Sequence, residues 1–92
     1  MIRTFRHKGL RRLFERGDTF GVRPDMVPRL RTLLTALDRA ESLVELDLPG
    51  ARLHPLRGAR EGFWSVRVTA NFRIVFQFED GDAWFVDLVD YH

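Results

Sequence analysis

Ninety-two residues, 45% hydrophobic and 12% aromatic, suit one compact core of modest size and argue against a disordered chain, so residues 1–92 are expected to form a single domain. The absence of cysteine excludes disulfides, a thiolate metal site and a cysteine nucleophile. The net charge of +2 is uneven: residues 1–31 carry +6, residues 32–60 carry zero and residues 61–92 carry −4, and fourteen of the fifteen basic residues are arginine, whose planar fork of donors suits phosphate.

Ile2 to Phe5 reads as a short strand. From about His7 to Glu15, Leu10, Leu13 and Phe14 recur at helical spacing, with Gly17 as the stop. A second helix is stronger: Val27, Leu30, Leu33, Leu34, Leu37 and Ala40 share one face, and Pro24 and Pro28 belong to its start. Pro49-Gly50 marks a turn, and a short extended piece follows near Leu53–Leu56. No apolar run approaches the roughly 18–20 residues of a membrane span. The N-terminus also lacks the apolar stretch of a signal peptide, so a soluble cytoplasmic protein is expected.

The C-terminal third alternates as a β-meander, over Phe63–Val68, Phe72–Glu79 and Ala83–Val89. A one-residue slip would exchange the two faces, so matching apolar positions sets the register. A three-residue loop at Thr69-Ala70-Asn71 opposes Val68 with Phe72, Val66 with Ile74 and Trp64 with Phe76. The same reasoning at Asp80-Gly81-Asp82 opposes Phe78 with Trp84, Phe76 with Val86 and Ile74 with Leu88. On the other face Arg67 falls opposite Arg73, Val89 beside Arg73, and Tyr91 opposite Asn71. Like charges directly across a ladder are unfavourable. Either a bound anion or a nearby acid such as Asp87, Asp90 or the terminal carboxylate would relieve them.

His7, His54 and His92 have no metal-ligand spacing, no glycine run forms a phosphate loop, and no nucleophile-elbow sequence is present. His54, Arg57, Arg73 and the pair Tyr91-His92 remain. Histidine moves protons near neutral pH, and arginine holds phosphate and the charge that grows in phosphoryl transfer. RNA cleavage without metal needs both. By strand parity His92 falls on the core side of the sheet, away from Arg73.

Four segments together resemble the HigB branch of the RelE-type toxins of bacterial type II toxin–antitoxin systems: Leu53-His54-Pro55-Leu56-Arg57-Gly58, Gly62–Val68, Asn71–Phe76 and the ending Val86-Asp87-Leu88-Val89-Asp90-Tyr91-His92. The opening Met1–Phe5 with Leu13-Phe14 fits as well. The resemblance implies an α+β, RelE-like fold in which a short N-terminal strand and two helices pack on a mostly antiparallel C-terminal meander. It implies a ribosome-dependent mRNA endoribonuclease that needs no metal or other cofactor and acts in the A site of the 70S ribosome. A HigA-like helix-turn-helix antitoxin would neutralise it, and operator DNA would be met only through that antitoxin.

His54, Arg57, Arg73 and His92 match the family's catalytic positions, with Arg57 where many relatives have lysine. Arg67, Asn71 and Tyr91 are the candidate substrate contacts. Arg3, Arg6, Lys8, Arg11, Arg12 and Arg16 form a candidate basic patch for ribosomal RNA, where charge gives affinity without sequence readout. The alternatives are a noncatalytic RNA- or ribosome-binding module, and an inactive relative acting with its antitoxin in operon regulation.

Overall fold

The computed structural model describes residues 1–91. Helix α1 (Lys8–Arg16) starts at His7, whose backbone is extended and whose Nδ1 accepts the Leu10 N–H at 3.0 Å. His7 is therefore the cap rather than a residue within the helix. Gly17, at φ 68°, closes the other end by returning its N–H to the Arg12 and Leu13 carbonyls. A 3₁₀ turn over Pro24–Met26 leads into α2 (Val27–Arg39), whose Leu30, Leu33, Leu34 and Leu37 are buried. No helix among the described residues is long and apolar enough to cross a membrane.

Strands β1 (His54–Pro55), β2 (Trp64–Arg67), β3 (Phe72–Glu79) and β4 (Asp82–Asp90) form an antiparallel sheet in that order. The N-terminal segment runs parallel to the free edge of β4 through two bridges, Ile2↔Ala83 and Phe5↔Val86, rather than as the continuous strand expected. Asp38 on α2 ties it down, its Oδ1 accepting the Ile2 N–H at 2.9 Å. The core lies between the helices and one sheet face, with Leu10, Leu30, Leu34 and Leu37 against Ile74, Phe76, Ala83 and Val86.

The first hairpin has the expected register, with Trp64↔Phe76, Val66↔Ile74 and Arg67↔Arg73. The second does not. Asp80 and Gly81 both take positive φ, 52° and 79°, and make a two-residue turn, so Phe78 opposes Ala83 and Gln77 opposes Trp84. The residue saved at the turn reappears as a bulge at Phe85, φ 55°, which restores Ile74↔Leu88. Trp84 thus leaves the core face, and Ala83 is buried there instead. The bulge also interrupts pairing with the N-terminal segment. Thr4 fills the gap: its Oγ1 accepts the Phe85 N–H at 2.8 Å and its carbonyl accepts the Val86 N–H at 3.0 Å.

Candidate functional site

Both helices pack on one face of the sheet, so the chemistry-bearing side chains collect on the other. Alternation along the strands places Ser65 and Arg67 of β2, Arg73, Val75 and Gln77 of β3, and Trp84, Asp87 and Val89 of β4 on this face, open in that neither helix covers it, with Ser65 and Val75 at its centre buried. His54 joins them through its pairing with Ser65.

His54 stands exposed at the outer edge. Its Nδ1 lies 3.1 Å from the Arg52 carbonyl oxygen, an atom that only accepts. The neutral ring therefore keeps its proton on Nδ1 and leaves Nε2 as the accepting nitrogen. The carbonyl is aimed by Arg52 itself, which takes a left-handed φ of 48°. Ser65 Oγ, fully buried, lies 3.4 Å from the same ring nitrogen and backs the imidazole.

Arg67 and Arg73 sit directly opposite each other. Arg67 Nε donates to the Thr69 carbonyl at 3.1 Å, which turns its fork toward the β2–β3 loop. The Arg73 guanidinium lies against the Tyr91 ring, 5.4 Å from its centroid. Its Nε and Nη1 are buried, and among the described residues neither has a hydrogen-bond partner. Neither arginine has a carboxylate partner among those residues. Asp87, on the same face, turns its Oδ1 to the backbone N–H of Leu88. Buried guanidinium donors without acceptors are costly, and an oxyanion is the group that satisfies them.

The remaining candidates are dispersed. Arg57 is exposed in the β1–β2 connection, where it caps a 3₁₀ turn over Gly58–Arg60 through its backbone alone. Asn71 is exposed at the end of the β2–β3 loop, and its carbonyl accepts the Tyr91 N–H, so those two residues adjoin as the register predicts. His92 lies outside the described residues. The basic patch is divided: Arg3 Nε pairs with Asp82 at 3.1 Å, Arg6 packs against Phe63 and Phe85, and only Lys8, Arg11, Arg12 and Arg16 stand exposed on α1. Sequence reasoning missed the supports of the site, Ser65 and the Arg52 carbonyl. A polar residue between Trp64 and Val66 was the one available signal.

A family model described as "RelE-like toxin of type II toxin-antitoxin system HigB" matches residues 3–92. The chain is 50% identical over 92 residues to Endoribonuclease HigB of Proteus vulgaris, covering all of both chains. It is 32% identical over 85 residues to Toxin HigB-1 of Vibrio cholerae, 90% of each. Among solved structures, a chain of the YoeB-YefM complex from Staphylococcus aureus superposes with a TM-score of 0.63 at 20% identity, over 100% of this chain and 95% of that one. A mutant of YafQ from E. coli gives 0.59 at 20% identity, over 98% and 91%. These last two are likenesses of fold.

Proposed function

The chain belongs to the HigB family of RelE-like toxins of type II toxin–antitoxin systems, and on that premise we propose that it is an endoribonuclease that cuts mRNA in the ribosomal A site by metal-independent transesterification. The observation that carries this reading is the Arg73 guanidinium, with two buried donors unpartnered among the described residues, on the same open face as a histidine whose Nδ1 faces the Arg52 carbonyl and so leaves Nε2 as the acceptor.

The chemistry follows from the parts. His54 and Arg73 are two strands and two residues apart, roughly 12 Å between Cα atoms, which lets both side chains reach one nucleotide. The scissile phosphate sits on Arg73, with Arg67 opposite supplying further positive charge and Arg57 at the rim. The ribose 2′-hydroxyl gives up its proton as its oxygen attacks the phosphorus. The bond from phosphorus to the 5′-oxygen breaks, and that oxygen takes a proton. The products are a 2′,3′-cyclic phosphate and a 5′-hydroxyl. The family resemblance makes His54 and His92 the two proton carriers, a role that requires the C-terminal residue to reach this face against strand parity. Arg73 stabilises the charge on the phosphorane, and Tyr91 and Asn71 hold the base of the cut nucleotide.

The partners proposed are the 70S ribosome, its mRNA and a HigA-like helix-turn-helix antitoxin, with operator DNA reached through that antitoxin, all in the cytoplasm. The test is mapping of mRNA 5′ ends in cells after brief induction of this chain alone. New ends inside translated frames, lost when translation is blocked and lost in Arg73→Ala, are expected. Growth arrest without new ends would replace this reading with a noncatalytic ribosome-binding module. Neither arrest nor new ends from folded protein would mean an inactive relative acting with its antitoxin.

A further inference from the structure

Arg6 belongs to the open sheet face, not to the basic helix that follows it. Phe5 pairs with Val86 and packs against the core, so alternation turns Arg6 to the opposite side. Its backbone N–H donates to the Val86 carbonyl at 2.8 Å, which fixes its origin beyond the outer edge of β4. From there the guanidinium reaches inward across the face. Its central carbon lies 5.2 Å from the Phe85 ring centroid and 5.5 Å from that of Phe63, the residue just ahead of β2.

Three features make this a built position. The bulge that presents Phe85 holds a non-glycine residue at φ 55°, a conformation that L side chains rarely adopt. Thr4 Oγ1 secures it through the Phe85 N–H. Two aromatic rings hold the guanidinium by cation–π contact, and neither ring carries an oxygen or nitrogen acceptor for its N–H groups. Among the described residues Arg6 has no carboxylate partner and no side-chain hydrogen bond. Arg3, on the same segment, is by contrast paired with Asp82.

We propose that Arg6 is a second phosphate site for the substrate strand, gripping a neighbouring phosphodiester of the same single-stranded RNA whose scissile phosphate rests on Arg73. This rests on the reading of the open face as the RNA site. Arg6 and Arg73 lie roughly 12 Å apart at Cα, two strand spacings across and two residues along, and the Arg6 side chain shortens that gap by reaching inward. The role differs from that of the α1 arginines: Arg6 touches substrate, not ribosomal RNA.

The test is a walk of neutral methylphosphonate linkages through mRNA programmed on ribosomes. The 2′-hydroxyl at the cut is replaced by 2′-O-methyl so that binding is read without cleavage. Binding is compared for the unaltered protein, Arg6→Ala and Arg6→Lys. One non-scissile position is expected to weaken binding by roughly tenfold or more in the unaltered protein, as loss of a charge-assisted hydrogen bond should. The same linkage should cost nothing in Arg6→Ala and an intermediate amount in Arg6→Lys. Each variant is its own reference, so a general loss of stability cancels from the ratio. Equal costs in the unaltered protein and Arg6→Ala at every position would overturn the assignment, as would failure to bind programmed ribosomes at all. Failure of all-ribose mRNA to be cut, with the coupled phosphate present, would overturn the nuclease reading and leave the Arg6 site standing.

Discussion

Arg67 and Arg73 face each other across the β2–β3 ladder, and no carboxylate among the described residues pairs with either. The described residues place no carboxylate in an ion pair with either arginine, and a bound anion is the other way to relieve such a pair. Two opposed like charges and two unpartnered donors on Arg73 lower the stability of the free protein. On the proposed reading, a phosphate between them would convert that cost into binding.

Arg73→Met should therefore separate stability from function. The substitution keeps a long side chain against Tyr91 and removes both the orphan donors and the repulsion. The denaturant midpoint is expected to rise, with stability gained by about 1 kcal/mol. Cleavage of ribosome-bound mRNA is expected to fall by roughly a hundredfold or more, the usual effect of losing a preorganised charge donor. Retained cleavage would remove Arg73 from the site.

His54→Asn tests the proton path. The asparagine amide can still donate to the Arg52 carbonyl, so the loop should keep its shape. What is lost is the accepting Nε2. Single-turnover cleavage is expected to drop by roughly a hundredfold or more with the binding of programmed ribosomes unchanged. Ser65→Ala should cost far less, because the contact to the Arg52 carbonyl survives it. An equal loss in both variants would mean that His54 acts as a structural piece.

Much of this face was legible beforehand, and the exceptions have physical causes. Trp64-Val66 against Ile74-Phe76 is an unbroken apolar alternation, so the first hairpin and the Arg67–Arg73 opposition followed from it. The second hairpin broke the rule at Asp80-Gly81, where two left-handed residues allow a shorter turn, and at Phe85, a bulge that no glycine announces. Trp84 changed face as a result. Arg6 was legible as a charge but not as a position, because its place depends on parallel pairing with a strand eighty residues away. The tautomer of His54 depends on the backbone angle of Arg52, which has no sequence marker.

Thr4→Val probes the bulge itself. Valine preserves the shape of threonine and removes the Oγ1 that accepts the Phe85 N–H. A loss of about 1 kcal/mol is expected in denaturant unfolding, the net worth of one such bond. A change near zero would mean that water takes over the Phe85 N–H without penalty.

Glu45 supplies a pH dependence with a fixed sign. Its carboxylate accepts the backbone N–H of Glu41 at 2.7 Å and of Ser42 at 2.9 Å, and these bonds, Glu41 first, hold its pKa below the usual carboxylate value. The folded state thus binds that proton less readily than the unfolded chain. The stability contributed is complete above the unfolded carboxylate pKa, about 4.3, and is lost as pH falls through the lower folded value. Glu45→Gln removes the charge and keeps one acceptor. It should unfold more easily than the unaltered protein at neutral pH, with the difference shrinking as the medium is acidified below that range. A difference independent of pH would sink this account of the cap.

The exposed cations of α1 make a different kind of contact from those on the sheet, and salt distinguishes the two. Lys8, Arg11, Arg12 and Arg16 are all exposed on α1. If they lie along ribosomal RNA, each phosphate neutralised contributes roughly 0.7–0.9 to the slope of log affinity against log salt. Arg11→Gln combined with Arg12→Gln should reduce that slope for ribosome binding by about two such increments, uniformly across mRNA sequences. The rate of cleavage at saturating toxin should be unchanged, because neither side chain is on the face that holds His54 and Arg73. A slope that stays the same would leave α1 as a solvated helix face and place the ribosome contact elsewhere. A lowered saturating rate would mean that the helix positions the sheet on its substrate.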